Sequence, residues 1–158
     1  MVEELLYEGF GPGGVAVIVE ADTDNKQRTV SEVKNVFEKS GGSLGNPGSV
    51  SYLFKKKGVV AVKKNGTSSD ELLSKGIDAG VEDMEEESER VIYYIDPQNF
   101  SSAKTMLENL GLEVINAEII YEPITFVDQN QKTQVQVLNL IDTLSELDDV
   151  QKVYTNLA

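Results

Sequence analysis

GVVAVKKNGTSSDELLSKGIDAGVEDMEEESERVIYYIDPQNFSSAKTMLENLGLEVINAEIIY, residues 58–121, carries one complete structural pattern, and its reading decides the fold. Residues 58–63 alternate as a strand. Ser68 followed by Glu71 is a capping box, with a hydroxyl and a carboxylate spaced to satisfy the first free N–H groups of a helix. That helix runs to Gly80, where a left-handed terminus is expected. Residues 82–87 predict a weak acidic strand and residues 90–95 a strong one. Asp96-Pro97 opens a second helix, because proline at an early helical position loses an N–H that has no partner there anyway. Phe100, Ala103, Met106, Leu107 and Leu110 line its apolar face, Gly111 stops it, and residues 112–121 form a last strand. The order βαββαβ is the ferredoxin-like arrangement.

The flanks each hold part of a second such unit. Residues 4–9 and 14–22 predict two strands joined by Gly11-Pro12-Gly13-Gly14. In the second, Val15, Val17 and Val19 alternate with Ala16, Ile18 and Glu20, so apolar side chains fall on both faces and the strand is expected to be central. A helix follows, with Thr29 as its cap, Glu32 completing a capping box, a stripe of Val30, Val33, Val36 and Phe37, and Gly41 at its end. Residues 49–56 predict a strand ended by Lys55, Lys56 and Lys57. The remainder, an extended segment Pro123–Gln129, a helix over about 132–147 and a strand over 149–155, lacks partners of its own. Joined to residues 4–56 it gives βαββαβ again, preceded by an extra hairpin strand. The expected fold is α+β: two ferredoxin-like domains, residues 58–123 inserted into a discontinuous domain of 1–57 and 124–158.

Tyr7-Glu8-Gly9, Gly11-Pro12-Gly13-Gly14-Val15-Ala16, Thr23-Asp24-Asn25, Arg28-Thr29, Gly41-Gly42, Leu44-Gly45, Gly48-Ser49-Val50 and Lys56-Lys57-Gly58 resemble the signature region of the YebC/PmpR family. The run from Asp148 to Tyr154 is similar to that family's closing strand. The resemblance implies a last domain inserted into the second, and a role in regulating gene expression. For some members that role is DNA-binding control of transcription; for others, a mitochondrial translational activator among them, it is action on ribosomes. It also implies a basic helical N-terminal domain ahead of the Tyr-Glu-Gly motif. That motif starts here at residue 7, so the chain is expected to lack the family's main nucleic-acid-binding domain.

Composition narrows the chemistry. Cysteine and histidine are both absent. Disulfides, thiolate metal sites and serine–histidine or cysteine–histidine catalysis are therefore excluded within these residues. No apolar run has the length of a membrane span, and no secretory signal pattern opens the sequence. A non-enzymatic, cytoplasmic, monomeric protein without cofactor or metal is expected. The net charge of −13 is uneven: residues 1–65 hold nine Lys/Arg against eight Asp/Glu, and residues 66–158 five against nineteen, giving +1 and −14. Phosphate binding draws on Lys and Arg, so nucleic-acid or ribosome contact is expected from Lys26, Arg28, Lys34, Lys55, Lys56 and Lys57. The glycine-rich loop of residues 40–49, with Gly41, Gly42, Gly45 and Gly48, is a further contact region, since small residues let another backbone approach.

Other motifs read as structural. The glycines at 9–14 precede a strand, whereas a phosphate-binding loop opens a helix. Asp22 and Asp24 begin like a calcium loop, but Lys26, Gln27 and Val33 occupy the positions that would complete it. Glu85, Glu86, Glu87 and Glu89 read as a charged edge that discourages strand pairing. Tyr52 and Phe54 could stack on bases but are expected to face the core, and the RNP aromatics of a sheet-surface RNA reader are not seen. The alternative function is a small-molecule sensor with a ligand cleft between two ferredoxin-like domains.

Overall fold

The structure, a computed structural model, describes residues 1–158. Its elements are β1 (Glu3–Phe10), β2 (Ala16–Thr23), α1 (Lys26–Lys39), β3 (Ser43–Leu44), β4 (Phe54–Lys63), α2 (Ser69–Ala79), β5 (Asp83–Glu86), β6 (Arg90–Ile95), α3 (Phe100–Asn109), β7 (Glu113–Pro123), α4 (Gln131–Glu146) and β8 (Val150–Thr155). They gather into two units, residues 1–55 with 122–158, and residues 56–121. Each unit is α+β with a single four-stranded sheet, compatible with two ferredoxin-like domains, the second inserted into the first.

In the inserted unit the strand order is β5-β6-β4-β7. Antiparallel register sets Val60 opposite Tyr93 and Val62 opposite Val91. These side chains meet Leu72 of α2 and Ala103 and Leu107 of α3 in one core. The Ser68 hydroxyl accepts the Glu71 N–H at 3.2 Å, which starts α2 where the capping box predicts. Tyr93 is fully buried, and its hydroxyl donates to the Leu72 carbonyl at 2.6 Å. Burial pushes its pKa up to about 12.

In the first unit the order is β3-β1-β2-β8, so β2 is central, and the chain entering it is fully buried from Val15 to Val19. Val15, Val17 and Val19 pack against Val33 and Phe37 of α1 and Val137, Leu140 and Leu144 of α4. Truncating an aromatic buried as fully as Phe37 costs about 3–5 kcal/mol. Asn156 ties the end of the chain to this core: its side-chain carbonyl accepts the Ala16 N–H at 2.9 Å.

Three local expectations change. Helix α1 begins at Lys26, capped by Asn25, whose side chain accepts the Arg28 N–H at 3.1 Å. Thr29 lies within the helix, buried, with its hydroxyl on Asp149 at 2.8 Å. Residues 49–56 are not one strand. A 3-10 turn spans Ser51–Leu53, and β4 begins at Phe54 and runs through the three lysines. The reason is Glu8, whose carboxylate takes the N–H groups of Val50 and Ser51 that a strand ladder would need. Residues 123–129 add no full strand, only a bridge between Val127 and Leu157.

Candidate nucleic-acid interface

The glycine-rich loop is docked on β1 by one side chain. Glu8 is 5 % exposed. Its carboxylate accepts the N–H of Gly48 at 2.7 Å, of Val50 at 3.1 Å and of Ser51 at 2.6 Å. Burial pushes the Glu8 carboxyl up, but the hydrogen bonds from Gly48, Val50 and Ser51 outweigh it and hold the group below its ordinary value. Its backbone carbonyl accepts the Gly45 N–H at 2.8 Å. Gly42 lies so close to the Phe10 carbonyl that a Cβ there has no room, and Gly48 has φ +89°. Gly41 shares that conformation at the end of α1. The four glycines thus have structural duties: they let a short loop lie flat on the edge of a sheet.

The six basic candidates fall into different settings. Lys26 and Lys34 stand on α1, 67 % and 61 % exposed, each with a glutamate at 4.0 Å, Glu3 and Glu38 respectively. Exposed pairs at that distance are weak and leave the ammonium available. Both lysines border a cleft of about 600 Å³ floored by Leu5, Leu6, Val30, Leu44 and Pro47. Arg28 is committed elsewhere. Its Nη2 donates to Asp149 at 2.9 Å and to Asp24 at 3.2 Å. Asp149 also accepts from the hydroxyls of Thr29 at 2.8 Å and Thr23 at 3.2 Å. The Thr29 hydrogen bond, then Arg28, hold its carboxyl below the ordinary value.

Lys55 is exposed and ends the first unit's opening segment. Lys56 and Lys57 belong to the inserted unit, where their ammonium groups sit over the rings of Tyr121 at 5.8 Å and Tyr94 at 5.6 Å. The acidic edge strand is tied into the same unit. Lys64 meets Glu86 at 2.6 Å, and the Tyr94 hydroxyl donates to Glu85 at 2.9 Å. No helix is long and apolar enough to cross a membrane.

Glu8 and Asp149 carry most of this local order, and sequence reasoning passed over both. Each sits in a motif quoted above, but a carboxylate gives no local sign that its partners lie forty or more residues away. Tyr52 also departs from expectation: it is 69 % exposed, whereas Phe54 is 7 % exposed and takes the core position. One signal was legible. Residues 39–69 contain six lysines, Lys39, Lys55, Lys56, Lys57, Lys63 and Lys64, and no acidic residue, in a chain of net charge −13.

A family model described as the TACO1/YebC second and third domain matches residues 2–157. A "Probable transcriptional regulatory protein" of Aquifex aeolicus is 47 % identical over 155 residues, covering 98 % of this chain and 62 % of that relative. One of the same description from Acetivibrio thermocellus is 46 % identical over 156 residues, covering 98 % and 64 %. The crystal structure of a conserved hypothetical protein from Aquifex aeolicus superimposes with a TM-score of 0.82 at 46 % identity, covering 99 % of this chain and 65 % of that one. The chain therefore spans somewhat under two thirds of the length of the curated relatives it matches.

Proposed function

The chain belongs to the TACO1/YebC family, and we propose that it is a regulator of gene expression that acts without catalysis, by laying lysine side chains against nucleic-acid phosphates. The observation that carries this reading is the lysine-bearing, acid-free stretch of residues 39–69 within a strongly acidic chain. Clustered lysines are the electrostatic footprint of phosphate contact. The description of the relatives as probable transcriptional regulatory proteins supports the same reading. The contacts are Lys26, Lys34, Lys55, Lys56 and Lys57. Arg28 serves them from behind, by holding the start of α1 to β8 through Asp149. The docked glycine loop supplies a flat, uncharged surface beside Lys26 and Lys34. With −14 charges over residues 66–158, the chain alone binds weakly at physiological salt.

The test is titration of the chain into labelled duplex DNA and labelled RNA of mixed sequence at two salt concentrations. Affinity should fall as salt rises. Each reversal among Lys55→Glu, Lys56→Glu and Lys57→Glu should flatten the duplex-DNA salt slope by about one unit. Reversal should weaken binding alike across sequences, because lysine–phosphate contacts position a strand without reading its bases. Absence of binding at the lower salt concentration, or a slope unmoved by all three reversals, overturns the reading.

A further inference from the structure

We propose that Tyr52 is a stacking platform for an unpaired base, so that single-stranded nucleic acid is the preferred ligand of this face. The inference rests on the phosphate-contact reading above and adds to it the class of nucleic acid.

Tyr52 presents most of its ring to solvent, at 69 % exposure. It is not a core residue left over by poor packing, because Phe54 two positions on fills the buried place. The backbone that carries the ring is held from several sides. The N–H groups of Val50 and Ser51 are fixed to the buried Glu8 carboxylate at 3.1 and 2.6 Å. The Leu53 N–H donates to the Val50 carbonyl at 2.9 Å, and the Leu53 carbonyl accepts the Ile124 N–H at 3.0 Å. An aromatic on so constrained a turn loses little freedom when a ligand covers it.

Its surroundings select the ligand. Lys55, exposed, follows by three residues in sequence. Ile124, bonded through its backbone to Leu53, is a second exposed apolar residue at this turn, at 67 %. An exposed aromatic followed within three residues by an exposed lysine is the pairing of residue types that a base joined to its phosphate calls for. In a duplex the base faces are hidden in the stack, so a protruding ring finds no partner there. Unpaired bases splay out and stack on aromatics.

The chain and its Tyr52→Ala, Tyr52→Phe and Lys55→Glu variants are titrated into a single-stranded oligoribonucleotide carrying 2-aminopurine, and into its duplex. Thermal melts verify that each variant folds. The wild-type chain should bind the single strand more tightly and change the fluorescence of the 2-aminopurine as the base stacks. Tyr52→Ala should weaken single-strand binding about tenfold and leave duplex binding unchanged, since one base–aromatic stack is of that order. Tyr52→Phe should bind as the wild type does, because the ring and not the hydroxyl is used. Lys55→Glu should weaken both. If Tyr52→Ala binds the single strand normally, or weakens both ligands equally, the stacking proposal is overturned while the Lys55 result upholds phosphate contact. If the wild-type chain binds neither ligand at low salt, the underlying reading fails and the proposal falls with it.

Discussion

The Arg28 guanidinium donates to the Asp149 carboxylate at 2.9 Å across 121 residues of sequence. The pair joins the first turn of α1 to the residue just before β8, so it closes a unit whose two segments are separated by the whole inserted unit. Thr23 and Thr29 donate to the same carboxylate, and the Asp149 backbone carbonyl accepts the Asp22 N–H at 2.8 Å. The Thr-Asp-Asn and Arg-Thr motifs near the start and the Asp-Asp-Val motif near the end are therefore two halves of one fastening.

Replacing Asp149 by Asn should lower the melting temperature at neutral pH, while Asp148→Asn, one residue away, should change it little. Hydrogen bonding from Thr29, then Arg28, depresses the Asp149 pKa in the fold. The stabilisation is present above the unfolded-state value of about 3.9 and is lost as pH falls through the lower folded value. The gap between wild type and Asp149→Asn should thus close in acid. A gap that stays constant down to that range would show that the charge of Asp149 contributes nothing.

Glu8→Ala should destabilise the chain by about 3 kcal/mol, because it strands the backbone N–H groups, one of them fully buried, that donate to its carboxylate. Urea unfolding measures the loss. Amide hydrogen exchange at Val50 and Ser51 should accelerate well before exchange in β2 does.

Two glycines of the same loop should respond differently to alanine. At Gly48 there is open space for a Cβ but φ is +89°, so Gly48→Ala should cost about 1–2 kcal/mol. At Gly42 a Cβ falls on the Phe10 carbonyl, and the loop must lift from β1 to admit it. Gly42→Ala should cost about 3 kcal/mol or more. Equal losses in chemical denaturation would contradict the docked geometry.

Lys34→Glu and Arg28→Ala separate contact from support. Lys34 is exposed beside the cleft and should change the salt slope of nucleic-acid binding by about one unit without moving the melting temperature. Arg28 is held by two carboxylates, so its loss should lower the melting temperature and leave the slope nearly unchanged.

Tyr93 supplies an alkaline counterpart in the inserted unit. Its pKa is raised to about 12 by burial. The associated stability is complete below the unfolded value of about 10 and is lost as pH rises through the folded value. At neutral pH Tyr93→Phe should melt below the wild type, having lost the bond to the Leu72 carbonyl. Toward strongly alkaline pH the wild type should lose that lead, as thermal melts across the range will report.

The α+β class and the βαββαβ order of the inserted unit were determined by the sequence itself, because their signals are local. The Ser68 cap, the alternation in β2 and the apolar stripe of α3 each lie within a few residues and need no distant partner to be read. The tertiary structure alone decided where local signals competed or were silent. Asn25 and Thr29 are both good caps, four residues apart. The choice of Asn25 follows from Asp149, which draws the Thr29 hydroxyl into the interior. Residues 49–56 have the alternation of a strand, but Glu8 claims two of the N–H groups and folds the segment into a turn. That turn sends Phe54 inward and leaves Tyr52 outside, a distinction the sequence does not carry. The physical reason is common to all three: a carboxylate shielded from water, wholly at Glu8 and largely at Asp149, gathers donors wherever the chain brings them, and that demand overrides the weaker preferences of the segments that supply them.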